Sequence, residues 1–382
     1  MSLFSSHPSY LGVDIGSASI KVVELKNESG RPRLMTYGFA EEPVDVIHDN
    51  TDAMAKKIAS LLVKICQSAK VSTKKTVAAL PSFSVFSSLI SLPNMNKKDL
   101  SQAIYWQAKK FVPMPLEEMT LDWKLLDGEI KIANLMANGQ IKNNANALAV
   151  ANTAAGSAPA TTPATKDKKE DNDLKVLIAA APKKLVLRYL DIFKMAGLDL
   201  LSLETENFAM ERSMIGGDKN PIMIVDIGEI TSDISVVENS IPLLSRSVAV
   251  GGRLITEAVM NSLRIDKKRA EQFKRDIGFL PGQGNLPQVI GRVVAPIINE
   301  IKYCFDLYAA SKSNQHIEKI ILTGGSSFLP NIDQYLSDLL NIKVFIGDPW
   351  ARVIYPLELK SVLTELAPRF SVAIGLAMRE IV

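Results

Sequence analysis

The sequence is short of the residues that metal centres and simple nucleophilic enzymes depend on. Its 382 residues include two cysteines and three histidines. His7, His48 and His316 share no metal-ligand spacing with one another or with a cysteine, which argues against a zinc centre and a histidine-based triad. Cys66 and Cys304 lie far apart in patterns that read as helix interiors, so both are expected to be packed thiols in a reducing cytoplasm. An excess of one charge is also missing. Lys plus Arg number 44 against 41 Asp plus Glu, and the net +3 supplies no global field for nucleic acid or anionic lipid. No stretch reaches the roughly 20 apolar residues of a membrane-spanning helix. Residues 1–10 carry neither a cation nor an apolar run, so a secretory signal is not expected. No Gly-Lys-Ser/Thr phosphate loop occurs, and no G-x-G-x-x-G opens a helix after a strand. Two common nucleotide-binding plans are thereby excluded.

What is present is an ordinary globular composition, 47% apolar and 22% charged, on a chain long enough for two or more cores. Apolar runs predict strands at 10–14, 20–25 and 34–39. A helix follows, with Met54, Ile58, Leu61, Leu62 and Ile65 on one face and Thr51 or Asp52 as its cap. Thr76 to Leu80 reads as a strand ended by Pro81. Asn96 and Asp99 open a second helix whose buried face holds Leu100, Ile104, Ala108 and Phe111, and Pro113 and Pro115 stop it. Strands are predicted at 120–126 and 174–181. Between them, residues 137–173 are nearly all small or polar and are expected to form a flexible loop. Pro182 starts a helix that Gly197 ends. Beyond it come strands at 222–226, 233–238, 241–248 and 317–323. Helices are predicted near 254–263, 267–277, 288–310 (kinked at Pro296) and 329–340, with a last helix through Phe370, Ile374 and Met378.

The chemistry is concentrated in a repeat. Residues 11–23 read LGVDIGSASIKVV and residues 223–237 read MIVDIGEITSDISVV. Each is an apolar strand ending in Val-Asp-Ile-Gly, a polar turn and an apolar return, which marks an internal duplication. Asp14 and Asp226 can hold Mg²⁺, through water because Mg²⁺ sheds its hydration reluctantly. Gly16 and Gly228 let backbone N–H groups approach an oxyanion. Ser17, Ser19, Thr231 and Ser232 add hydroxyls, and Lys21 can neutralise phosphate charge. Facing each other, two such hairpins enclose a polyphosphate; taken singly, each is equally a plain turn. Two further pieces each carry a bland alternative. The strand into Gly324-Gly325-Ser326 offers close backbone approach or merely a strand-to-helix turn. Gly252 and the Glu271/Lys274 pair can grip ribose and base, or the pair is a solvent-exposed ion pair.

Duplicated Asp-x-Gly hairpins with a late strand-Gly-Gly turn resemble the actin, Hsp70 and sugar-kinase superfamily. The segments LGVDIGSASIKVVEL, SQAIYWQAKKFVPMPLEEMTLDWKLL, GGRLITEAV, AEQFK and LTGGSSFLP are similar to the PilM family of actin-like type IV pilus assembly proteins. That resemblance implies an α/β actin-like ATPase fold of duplicated RNase H-like domains with a small inserted α+β subdomain. The first domain would occupy 1–84 and 182–215, the insertion 85–181, the second domain 216–362, and a helix at 363–382 would close on the first. It also implies ATP and Mg²⁺ as cofactors and a place at the cytoplasmic face of the inner membrane. The implied partner is the N-terminal cytoplasmic peptide of a PilN-like membrane protein. Contacts with pilus assembly ATPases and oligomers are compatible with it; nucleic acid and direct membrane insertion are not implied. Trp106, Phe111 and Met114 lie in the segment where the peptide groove is sought, although aromatic residues at such spacing are expected in the core. Hydrolysis is expected to be slow, with Asp226 and Glu204 as the candidate carboxylates. An FtsA-like division protein and a small-molecule kinase of the same fold are the alternative functions.

Overall fold

A computed structural model describes residues 8–126, 173–311 and 315–382; the loop expected over 137–173 lies outside them but for Asp173. The first two strands, β1 (Ser9–Ile15) and β2 (Ile20–Glu28), form an antiparallel hairpin that β3 (Arg31–Ala40) extends. Helix α1 (Asp52–Ser68) follows, its first turn capped where the Thr51 hydroxyl accepts the Met54 N–H. It returns the chain to β4 (Lys75–Leu80), parallel to β1. An insertion then adds β5 (Phe86–Leu92), α2 (Lys97–Phe111), β6 (Met119–Leu125) and β7 (Leu174–Pro182) as a separate three-stranded sheet in the order β5-β7-β6. Helix α3 (Lys183–Met195) leads back to β8 (Asp199–Thr205), parallel to β4, and α4 (Glu206–Met214) crosses to the second lobe.

That lobe repeats the plan. Strands β9 (Ile222–Ile227), β10 (Ser232–Glu238) and β11 (Ile241–Val248) form the meander. Helices α5 (Gly252–Leu263), α6 (Lys267–Ile277) and α7 (Leu286–Ser311) come next. Strand β12 (Lys319–Thr323), helix α8 (Ile332–Leu340) and strand β13 (Lys343–Ile346) complete the sheet. The strand orders are β3-β2-β1-β4-β8 and β11-β10-β9-β12-β13, the same topology twice. In both, the hairpin turn and the carboxyl ends of the parallel strands share one sheet edge, where open α/β sheets bind ligands.

Sequence patterning fails at three short strands. No strand is predicted at β5, β8 or β13, because four to seven mixed residues carry no clear period. In α2, Leu100, Ile104 and Ala108 are buried as expected, but Phe111 is 48% exposed and the neighbouring Val112 takes its core position. Trp106 and Met114 are also at the surface, 61% and 41% exposed. Among the described residues the insertion is one helix on one three-stranded sheet, and its core is mostly aliphatic.

The lobes are joined by the end of the chain. Helices α9 (Lys360–Leu366) and α10 (Ser371–Met378) belong to one apolar stretch, Leu357–Met378, with length and hydropathy sufficient for a membrane span but 67% buried. Here it is a core element. One side of α10 packs with Val23, Leu25 and Trp350, and Leu376 joins Ala79, Met210, Ile224 and Ile321 between the lobes. Two glycines permit this. A Cβ on Gly375 would lie 1.8 Å from the Ala209 carbonyl oxygen, and one on Gly12 2.0 Å from that of Ala373. Such contacts have no slack in a close-packed interior. Gly375→Ala is therefore expected to destabilise the fold by about 1–3 kcal/mol, read as a lowered urea midpoint. Gly217→Ala, where a Cβ meets nothing within 4 Å, should leave the midpoint nearly unchanged.

Candidate functional site

The two hairpins turn alike. Gly16 donates its N–H to the Ser19 carbonyl at 3.1 Å, and Gly228 donates to the Thr231 carbonyl at 3.0 Å. The N–H groups of Ser17, Ala18, Glu229 and Ile230 make no backbone bond among the described residues, an arrangement that suits an anion. Cross-strand register sets the charges. Asp14 lies opposite Lys21, whose ammonium reaches it at 2.7 Å. At the equivalent place in the second hairpin, Asp226 lies opposite Asp233.

Like charges directly opposite on a sheet are unfavourable, and these two are crowded further. Burial, then the Asp233 charge, raise the Asp226 carboxyl to about 7, with Lys21 partly opposing. Burial raises Asp233 to about 6, against hydrogen bonds from Ser247 and Thr231. Glu206, at the start of α4, accepts the Ser82 N–H at 2.7 Å. Burial, then the charges of Asp233 and Asp14, push its carboxyl well above the usual range. Asp226 Oδ1 is buried without a hydrogen-bond partner. An orphaned anionic oxygen among excess carboxylates fits a cation brought from outside. Among the described residues, no three His, Cys, Asp or Glu side chains close around a single metal position. The arrangement therefore suits a hydrated ion that completes its shell with water and ligand oxygens.

Parallel pairing of β9 with β12 sets Thr323 beside Asp226 and so delivers the Gly-Gly turn to the carboxylate. Gly324 has φ +84, and a Cβ there would lie 2.1 Å from Asp226 Oδ1. Only glycine fits. Gly325 faces open space, and Ser326 Oγ abuts Gly252, where a Cβ would approach it to 2.5 Å. Gly252 and Arg253 dock α5 on the second hairpin through N–H bonds to the carbonyls of Gly228 and Glu229. Lys274, 7% exposed, donates to the Gly252 carbonyl, Thr256 Oγ1 and Glu271 Oε1 at 3.1, 2.8 and 3.0 Å. Burial works to raise Glu271, but the Thr256 hydroxyl and the Lys274 ammonium bring its carboxyl below the usual value. The Glu271/Lys274 pair is thus hydrogen-bonded and largely buried, and not a solvent-exposed pair.

Asp14, Gly16, Ser17, Ser19, Lys21, Asp226, Gly228 and Thr231 lie on the two facing turns, with Gly252, Glu271, Lys274, Gly324, Gly325 and Ser326 beside the second. Two expected residues are engaged elsewhere. The Ser232 hydroxyl is buried and donates to the Val250 carbonyl at 2.7 Å. Glu204 is clamped by Arg212 at 2.7 and 2.9 Å, with Arg379 at 3.5 Å, which commits both oxygens to an ion pair. Sequence reading missed Asp233 and Glu206. Aligning the hairpins exposes the first, since Asp233 follows Asp226 by the same interval as Lys21 follows Asp14. Glu206 was hidden by the unrecognised β8, whose register beside β4 brings it to Ser82.

Two lobes of one repeated sheet topology, joined over facing Asp-Ile-Gly turns, define the actin-like ATPase fold. Solved structures agree. A PilM–PilN type IV pilus biogenesis complex is similar over 98% of both chains, with TM-score 0.75 and 23% identity. The ethanolamine utilization protein EutJ of Carboxydothermus hydrogenoformans matches 97% of this chain and 89% of its own, with TM-score 0.51 and 16% identity. MreB5 of Spiroplasma citri bound to ADP matches 96% of this chain and 94% of its own, with TM-score 0.50 and 14% identity. The sequence profile of the type IV pilus assembly protein PilM covers residues 12–138 and 163–381, and the chain belongs to that family. A more distant curated relative is the cell division protein FtsA of Neisseria meningitidis, 29% identical over 178 residues. The match takes in 41% of each chain, so this chain spans about two fifths of that relative's length.

The crowded carboxylates give a signed expectation. Asp226 and Asp233 have folded-state values near 7 and 6 against an ordinary 3.8. Their contribution to stability is complete below about pH 4 and is lost as pH rises through 6 and 7. Asp226→Asn removes one of the opposed charges. It should raise the melting temperature of the ligand-free protein at pH 8 by roughly 1–2 °C, from about 1 kcal/mol. A melting series from pH 5 to 8 should also be flatter for the variant.

Proposed function

We propose that the chain binds Mg²⁺–ATP between its lobes and works in type IV pilus assembly as a nucleotide-responsive platform component. On this reading it captures the N-terminal cytoplasmic segment of a PilN-like membrane protein and is held at the inner-membrane face through that partner. The observation that carries the nucleotide half is the unpartnered Asp226 oxygen amid excess carboxylates, framed by two turns of identical bonding. The ADP-bound MreB5 relative and the solved PilM–PilN complex support the two halves in turn.

Each group has a role its geometry allows. The free N–H groups of the two turns hold phosphate oxygens, and Lys21 leaves Asp14 to share its charge with them. Glu271, held in place by Lys274 and Thr256, presents a fixed acceptor to ribose, and Gly324 and Gly325 leave room for the nucleotide. Bound Mg²⁺ would supply the positive charge that Asp14, Asp226 and the phosphates require together. Glu206 is the carboxylate poised to orient water. The bond from the Ser82 N–H fixes its carboxyl in place, and hydrolysis is expected to be slow. Tyr105, Trp106, Phe111 and Met114, all at least 40% exposed on α2 and the turn after it, offer the apolar surface for the partner peptide.

Thermal shift and peptide binding test both halves. Mg²⁺–ATP should raise the melting temperature of the native chain, and Asp226→Asn should abolish that rise. Glu206→Gln should keep the shift and lower any hydrolysis at least tenfold; unchanged hydrolysis would remove Glu206 from the mechanism. Trp106→Ala should weaken binding of a synthetic N-terminal PilN-like peptide roughly tenfold or more, the scale of a buried aromatic hot spot, with the nucleotide shift intact.

A further inference from the structure

The chain's net charge is not spread evenly. Residues 264–276 hold six cations against three carboxylates, a local excess of +3 that equals that of the whole protein. This segment is the tip of the α5–α6 hairpin and the first turns of α6. Leu263, Arg264 and all of residues 266–269 are exposed. Lys274 is spent inside the pocket. The other five cations, Arg264, Lys267, Lys268, Arg269 and Arg275, close no salt bridge among the described residues. Of the acids, Asp266 caps α6 by accepting the Arg269 N–H, Glu271 is held by Lys274, and Asp276 takes the Gln272 amide. The carboxylates are thus engaged locally while the cations reach solvent. Bulky apolar side chains flank them, with Leu263 40% and Phe273 38% exposed.

We propose that this hairpin tip adsorbs to an anionic lipid surface. Flexible cations interleaved with exposed Leu and Phe on a helix suit the headgroup layer, where charge draws the helix in and apolar side chains settle beneath. Adsorption of this kind needs no inserted segment. Glu271 and Lys274 on the inner side of α6 face the nucleotide pocket, so one short helix carries both surfaces, but lipid binding does not depend on the nucleotide reading.

The test is co-sedimentation of the full chain with phosphatidylcholine vesicles, with and without phosphatidylglycerol, across a salt series. The native protein should pellet with the anionic vesicles, and added salt should release it. Lys268→Glu with Arg269→Glu places acids in the first turn of α6, where the helix dipole favours them, so the variant should fold. At about 1 kcal/mol per cation near the surface, it should lose at least tenfold in binding. Its Mg²⁺–ATP thermal shift should match the native one. Phe273→Ser should weaken binding severalfold at the same charge. Equal pelleting with both vesicle types, no pelleting with either, or a charge-reversed variant that pellets like the native chain would overturn the proposal. So would retention on polyglutamate through the same cations without vesicle binding, which would assign the surface to an acidic polypeptide.

Discussion

Asp226 and Asp233 face each other across a hairpin at a sheet edge, with Asp14 close enough to raise the proton affinity of Asp226, Lys21 as the opposing cation, and Glu206 raised in turn by Asp233, Asp14 and Asp226. Most of the site follows from that imbalance. A fold tolerates an uncompensated group of buried carboxylates only if another interaction offsets it or if an arriving cation does. Among the described residues no third metal ligand is supplied, and Oδ1 of Asp226 has no hydrogen-bond partner. On the proposed reading the arriving charge comes with Mg²⁺–ATP, and binding and stability are coupled through the same groups.

The backbone that holds these carboxylates is less negotiable than the carboxylates. Gly324 abuts Asp226 at a positive φ, Gly252 abuts Ser326, and Gly12 and Gly375 let α10 lie against β1 and α4. The same four close approaches connect the phosphate turns, the pocket wall and the interlobe core. A shift of α10 is felt at Thr323 and Gly324, because both bond the Pro368 carbonyl just ahead of that helix. This gives a physical route by which filling the cleft and moving the lobes become one event. The inserted subdomain stands apart, with its own small core and an aromatic surface.

Much of this was legible in residue order. The repeat of Val-Asp-Ile-Gly announced the duplication and the two turns, since a strand ending in a carboxylate and a glycine has few other uses when it occurs twice. The long amphipathic helices and the resemblance to the PilM family were readable because they rest on local periodicity and contiguous motifs. The Glu271/Lys274 spacing placed both groups on one side of a helix, though it left open whether that side was wet or buried.

Tertiary structure alone decided the rest, and the reason is the same in each case: the deciding neighbour is remote in the chain. Glu204 looked available until Arg212 and Arg379 met it across α4 and the chain's last turn, while Glu206 joined the cleft only through β8 pairing with β4. Ser232 turned inward to Val250. Trp106 and Phe111 went to the surface because the inserted sheet is too small to cover them. Periodicity reports which residues share a face; it carries no record of what that face will meet.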